Sequence, residues 1–373
     1  MNIQKMRKTI LVGTIFVAII IGIHACRRTP SAREKIGIII PLSGHVATYG
    51  QDLKKGMDVA FEGRSDFLPL YQDSKAIKTE GLHAMRYLRN AQGVKFFIGD
   101  ATTTVSLAIA EDAQKNGNIL LVPIASGDDI HDKGDFIFMN CPRNEKQAIF
   151  AAQYVVANYK GKRVGIIHQQ IPYGIEISKN FISELQRNGM DVVICESVQN
   201  VRTGLSSIIS KIKNENLDLI YIPMEYEAGA IVLKQCKEHG ITTDFIGTDG
   251  FYSQKLIELA SNAAEGFTFT MFPIDSSSNY YKEFAAIYRK KYKQEPNIFS
   301  CYGYESAMNM MYAITNAGTN PVAVKQFFRD STFISFTGNL RFDATGEVER
   351  DYKLVRVINS QLQDVSVIQR NTY

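Results

Sequence analysis

Short runs of wholly apolar residues alternate with longer stretches of three-to-four-residue apolar spacing along most of this chain, and few folds satisfy such an alternation. Lys35-Ile36-Gly37-Ile38-Ile39-Ile40 is one such run, ending in Pro41-Leu42-Ser43-Gly44. It reads as a strand buried on both faces of a parallel sheet, followed by a loop. From about Gly50, Leu53, Met57, Ala60 and Phe61 recur at helical spacing. The pattern then repeats, with strands predicted at 67–72, 96–98, 119–122, 163–168, 191–196, 217–222 and 245–246. Helices are predicted at 77–90, 104–116, 145–158, 175–188, 204–214 and 228–239. The expected class is α/β, with parallel sheets covered by helices and a binding crevice beyond the carboxyl ends of the strands.

Two sets of strand-helix units are separated near Asn140-Cys141-Pro142-Arg143, where proline interrupts the pattern before a new helix. A later block at 267–319 is again a strand followed by helices, and short strands are expected at 338–342 and 352–359. The chain exceeds one comfortable core, so two domains are expected. With no low-complexity tract or long linker, they should be joined by short hinges.

The N-terminus has its own logic. Lys5, Arg7 and Lys8 precede an uncharged apolar run from Ile10 to Ile23, followed by His24-Ala25-Cys26. A basic segment, a short apolar segment and a small residue before the cut make a secretory signal, expected over 1–25. The run is shorter than the roughly 20 residues a spanning helix needs, which favours cleavage. The segment resembles a bacterial lipoprotein signal, which implies lipidation of Cys26 and a tether over 26–34, although His24 departs from the usual small or aliphatic residue. The alternative is an ordinary secretory signal. The whole chain carries 42 basic and 38 acidic side chains; the three basic residues of the signal account for most of that excess. The remainder is nearly neutral, which gives no electrostatic footprint for nucleic acid. Cys141, Cys195, Cys236 and Cys301 are far apart with no CxxC. They are expected as buried free thiols, with up to two disulfides as the alternative.

Ile36-Gly37-Ile38-Ile39-Ile40-Pro41-Leu42-Ser43-Gly44, then Tyr49-Gly50 and the helix through Gly56, resembles the opening of type I periplasmic substrate-binding proteins of the leucine/isoleucine/valine-binding family. Further segments match in the same order: Gln72-Asp73, Ile98-Gly99, Thr102-Thr103-Thr104, Val122-Pro123 with Ser126, and Pro172-Tyr173-Gly174. Gly247-Thr248-Asp249-Gly250, Ala264-Glu265-Gly266, Tyr304-Glu305-Ser306-Ala307 and Phe342-Asp343-Ala344-Thr345-Gly346 continue the series. The resemblance implies two Rossmann-like lobes joined by three crossovers, near 140–144, 271–275 and 347–351. The N-terminal lobe would comprise 35–141 plus 273–348, and the C-terminal lobe 142–272 plus 349–373.

The loop after strand 96–98 opens a helix, and free N–H groups at a helix N-terminus suit a carboxylate. Thr103 and Ser126 add hydroxyls, and the resemblance implies that both hold a ligand α-carboxylate while the backbone near Ile124 receives the ammonium. The competing reading is that Thr102 to Thr104 only cap the helix. Asp249 aligns with the family's acidic partner of the ammonium, although an aspartate before Gly250 is also a common turn residue. Tyr49 and Tyr173 match pocket-lining positions. Met224-Glu225-Tyr226-Glu227 departs from the family segment, leaving either Glu225 or Tyr226 to face the cleft; a buried Glu225 would disfavour a purely aliphatic ligand.

No GxSxG, HExxH, P-loop or GxGxxG motif occurs, and the histidines are scattered. Neither an enzyme nor a metal or cofactor site is expected. The resemblance implies a monomeric, membrane-anchored extracytoplasmic protein that captures an amino acid, branched-chain or similar, or a related small carboxylate by hinge closure and delivers it to an ABC permease. The alternative is a ligand sensor or protein-interaction scaffold on the same fold.

Overall fold

The computed structural model describes residues 33–365. The expected signal segment, the lipidation site Cys26 and the tether up to residue 32 lie outside them. In chain order, the first sheet is built by β1 (Glu34–Ile40), α1 (Ala47–Ala60), β2 (Phe67–Asp73), α2 (Lys78–Gln92), β3 (Phe96–Gly99), α3 (Thr103–Lys115), β4 (Ile119–Val122) and β5 (Ile137–Met139). The second follows with α4 (Asn144–Tyr159), β6 (Val164–Gln169), α5 (Pro172–Arg187), β7 (Val192–Val198), α6 (Leu205–Asn214), β8 (Leu219–Ile222), α7 (Tyr226–Glu238), β9 (Asp244–Gly247), α8 (Gln254–Ala260) and β10 (Thr268–Met271). Next come α9 (Asn279–Tyr292), α10 (Ile298–Ala317), α11 (Pro321–Asp330), β11 (Phe333–Ser335), β12 (Gly338–Leu340), β13 (Lys353–Ile358) and β14 (Gln361–Asp364).

The first sheet has the order β2-β1-β3-β4-β5 and is parallel throughout. The second has the order β14-β13-β10-β9-β8-β6-β7, parallel from β7 to β10, with β13 and β14 added antiparallel. Both are doubly wound, as the alternation requires. Strand order reverses beside β1 and β3 in one sheet and beside β6 and β8 in the other, and these switch points open crevices at the strands' carboxyl ends.

Burial explains the sequence runs. Ile36, Ile38, Ile39 and Ile40 are fully buried, as are Phe96, Phe97, Ile98 and all of Ile119 to Val122. Such strands have helices on both faces and therefore show no polar alternation. The edge strand β7 does alternate, with Val193 and Cys195 exposed. The expectation of buried thiols therefore fails at Cys195. Cys141, Cys236 and Cys301 are buried, and all four thiols are free.

Helix α1 lies against α10 at unusually close range. A Cβ on Gly56 would collide with the Ser300 carbonyl, and one on Gly303 with that of Leu53. The two glycines thus let backbones touch across the crossing and fix where the start of α10 stands over the cleft. None of the helices among the described residues is long and apolar enough to cross a membrane.

The chain passes from the first sheet to the second after β5; after β10 come helices α9 to α11 and the separate hairpin β11-β12, and β13 then rejoins the second sheet. The segments after β5 and before β13 are tied together. Tyr352 Oη donates to the carbonyls of Pro142 and Arg143 at 3.2 and 3.3 Å. The Glu347 carboxylate pairs with His131 at 2.9 Å and Arg143 at 2.8 Å. Deeper in, Arg350 pairs with Glu305 of α10, whose other oxygen accepts from the Phe336 N–H at 2.9 Å. A buried ion pair is costly to break from one side, by about 3–5 kcal/mol, because the other charge is left uncompensated.

Candidate binding cleft

Between the two sheets lies a narrow cavity lined by residues of both. Its walls come from the switch-point loops of both sheets. The structure brings Tyr49, Thr102, Thr103, Ile124, Ser126, Tyr173, Glu225 and Asp249 together on that lining. Tyr226 is one layer back, packed edge-on against Tyr49 with ring centroids 5.4 Å apart. Glu225 is the extended residue preceding α7 and Tyr226 its first helical residue, which turns the glutamate, not the tyrosine, to the cavity.

The first wall presents the N-terminus of α3. Helix α3 begins at Thr103, and its N-cap Thr102 makes no side-chain cap bond. The Thr102 hydroxyl and N–H instead both donate to Asp100 Oδ1 at 2.8 Å, while Ser74 Oγ donates to Oδ2 at 2.5 Å. Asp100 is fully buried, and burial pushes its carboxyl up to about 6. It clamps the loop and leaves the first-turn amides of α3 uncapped by any side chain. Thr103 is 3 % exposed, and its hydroxyl has no partner among the described residues. A buried hydroxyl left unpaired beside a helix N-terminus is a donor waiting for an acceptor. Ser126 differs: its hydroxyl donates to Asn144 Oδ1 at 2.7 Å, so its proton is committed within the protein and the oxygen remains an acceptor.

The opposite wall is acidic. Asp249 follows β9, is 5 % exposed, and accepts at Oδ1 from Tyr173 Oη at 2.6 Å and Gln147 Nε2 at 2.7 Å. Burial pushes its carboxyl up to about 6, against the lowering effect of those bonds. Tyr173 also accepts from the Gly250 N–H at 3.1 Å, so one phenol holds both the carboxylate and the turn behind it. A Cβ on Gly250 would stand 2.5 Å from the Met224 carbonyl and 3.1 Å from that phenol oxygen.

Contacts across the cleft link the walls. Tyr49 Oη donates to the Gly250 carbonyl and accepts from the Tyr226 N–H at 3.5 Å. His45 Nε2 meets Glu225 Oε2 at 3.0 Å, and Thr48 Oγ1 meets Ser253 Oγ at 3.1 Å. On the other flank the Asp128 N–H donates to Glu176 at 3.0 Å, and Asn180 donates to Asp128 at 2.7 Å. The cavity is further lined by Ala101, Thr104, Ala125, Ile171, Gly250 and Phe299. Ala101, Thr104, Ala125 and Gly250 adjoin the predicted positions. Phe299 comes from the start of α10, and Gln147 from inside α4; neither carries a motif, so only the folded chain shows them.

A family model described as periplasmic binding protein matches residues 34–361. The chain is 26 % identical over 358 residues to a Leu/Ile/Val-binding protein homolog 2 of Brucella abortus, covering 92 % of this chain and 94 % of that one. Among solved structures it resembles the branched-chain amino acid transporter substrate-binding protein LivJ of Streptococcus pneumoniae in complex with isoleucine. That likeness has a TM-score of 0.81 and 22 % identity over 90 % of this chain and 99 % of the other. It also resembles a solute-binding protein of an ABC transporter from R. palustris in complex with benzoate, with a TM-score of 0.80 and 15 % identity over 90 % and 96 % of the two chains.

Proposed function

The chain belongs to the periplasmic binding protein family, with the type I fold, and from that premise we propose that it captures an amino acid in the cleft between its lobes and hands it to an ABC permease. In this reading the lobes are 35–141 plus 273–348 and 142–272 plus 349–373, and the protein is a monomer held to a bacterial membrane through lipidated Cys26. No bond is made or broken in the solute. Affinity arises from contacts that exist only when both lobes engage it.

The observation that carries the reading is a complementary pair of walls. The partnerless Thr103 hydroxyl and the uncapped start of α3 suit a carboxylate, and the buried Asp249 opposite suits an ammonium. Isoleucine and benzoate, the ligands of the two similar structures, share a carboxylate, but only isoleucine has an amine. Against benzoate Asp249 would be left buried without a counter-charge, which favours the amino acid. Ile124, Ile171 and Phe299 supply apolar wall to the remaining surface.

The test is thermal unfolding of ligand-stripped protein beginning near residue 27 against a panel of amino acids and small carboxylates. A ligand at about 100 times its Kd should add roughly 2.7 kcal/mol. A stabilising amino acid whose effect disappears in Asp249→Ala and Thr103→Val is the expected result. Stabilisation by amine-free acids alone, or no loss in those variants, would overturn the reading.

A further inference from the structure

The proposed carboxylate and ammonium subsites leave one carboxylate of the cavity unused. Glu225 is 8 % exposed and lines the same space as Thr103 and Asp249. Its hydrogen bonds to His45 at 3.0 Å and Gln169 at 3.4 Å both fall on Oε2. Among the described residues Oε1 takes none. Gln169 Oε1 in turn accepts the Glu225 N–H at 3.0 Å, so the backbone carrying the carboxylate is held in place.

Tyr49 fixes the relation of this group to Asp249. Its single oxygen donates to the carbonyl of Gly250, next after Asp249, and accepts from the N–H of Tyr226, next after Glu225. The two acids therefore stand on either side of one phenol within one cavity. No lysine, arginine or histidine is among the residues lining this cavity; Glu225 stands at its border with an adjoining cavity that is lined by His45, Gln169 and Arg202, and His45 is half exposed. A zwitterion with a hydrocarbon side chain neutralises Asp249 and gives Glu225 nothing. Such a ligand offers Oε1 no donor, and Glu225 keeps only the bonds from His45 and Gln169 on its other oxygen.

We propose that Glu225 makes this cleft selective for an amino acid whose side chain ends in an N–H donor, an amine or an amide, received at Glu225 Oε1. The inference rests on the amino-acid reading above and narrows its substrate class away from leucine, isoleucine and valine. The apolar wall of Tyr49, Ile171 and Phe299 then covers the aliphatic stem of the side chain while its end meets the carboxylate.

Calorimetric titration of the ligand-stripped protein with lysine, ornithine, glutamine, leucine and isoleucine tests it. The donor-ended amino acids should bind at least about tenfold tighter than the aliphatic pair, as expected where a site hydrogen-bonds its substrate. Glu225→Leu should reverse that order. Glu225→Gln should weaken the amines by about tenfold or more and the amide far less, with ligand-free unfolding confirming that each variant is folded. Leucine or isoleucine binding tightest to the natural sequence, and lost in Asp249→Ala, would overturn this selectivity while preserving the cleft reading. An unchanged preference in Glu225→Leu would also overturn it. Failure of every amino acid to bind would overturn both.

Discussion

Replacing Asp249 by asparagine should make the empty protein more stable and the cleft useless. The folded protein holds the Asp249 proton up to about 6, whereas an ordinary aspartate releases it at 3.8. Across that window the folded state binds more protons than the unfolded state, so stability falls as pH rises, and the full cost is present at neutral pH. At 1.36 kcal/mol per pH unit the difference is about 3 kcal/mol. Asparagine keeps an oxygen for Tyr173 and Gln147 but has no charge to desolvate. Asp249→Asn should therefore gain about 1–3 kcal/mol at pH 7.5 and close to nothing near pH 4. Asp100, also pushed up to about 6 by burial, is untouched, so part of the pH dependence should remain. Urea unfolding of ligand-stripped protein at several pH values measures the difference, and repeating it with ligand should show no ligand-induced gain in the variant. A loss of stability at pH 7.5, or an unaltered pH profile, would refute the reasoning.

Thr103→Val removes a hydroxyl that has no partner in the protein, so unfolding midpoints should stay within about 0.5 kcal/mol while affinity falls by the 1.5–3 kcal/mol of a hydrogen bond to a charged group; equal affinity by calorimetry would remove Thr103 from the site. Gly56→Ala drives a methyl group into the Ser300 carbonyl and should cost about 1–3 kcal/mol in urea unfolding, with a neutral result showing that α1 and α10 separate cheaply. His45 has its pKa raised, chiefly by its hydrogen bond to Glu225, so its pairing across the cleft is present in full below 6.5 and disappears as pH rises through the raised value. Affinity should thus decline on the alkaline side through His45, and on the acid side as Asp249 takes up its proton below about 6; an alkaline decline of equal size in His45→Ala would contradict the first half.

The alternation of apolar runs and helical spacing was enough to reach two parallel sheets because a strand covered on both faces has a distinctive composition. The three-residue β5 was too short to leave such a run. Cys195 was misplaced because one residue type cannot show that β7 is an edge. Within the cleft, Thr103, Ser126 and Asp249 could be sought at strand ends, since the doubly wound topology places those loops together. The choice between Glu225 and Tyr226 was not legible, for it depends on where α7 begins. The commitment of the Ser126 proton to Asn144, the Gln147 bond to Asp249 and the approach of Phe299 over Tyr49 depend on packing between segments distant in the chain. No local pattern encodes them.

The most direct measurement is the identity of the small molecule released when protein purified under native conditions from its own cells is denatured and the supernatant analysed by mass spectrometry. One amino acid per protein molecule, carrying both a carboxylate and an amine and absent from Asp249→Ala prepared in parallel, is the predicted result. An amine-free acid such as an aromatic carboxylate, or the same molecule in equal amount from the variant, would contradict the account.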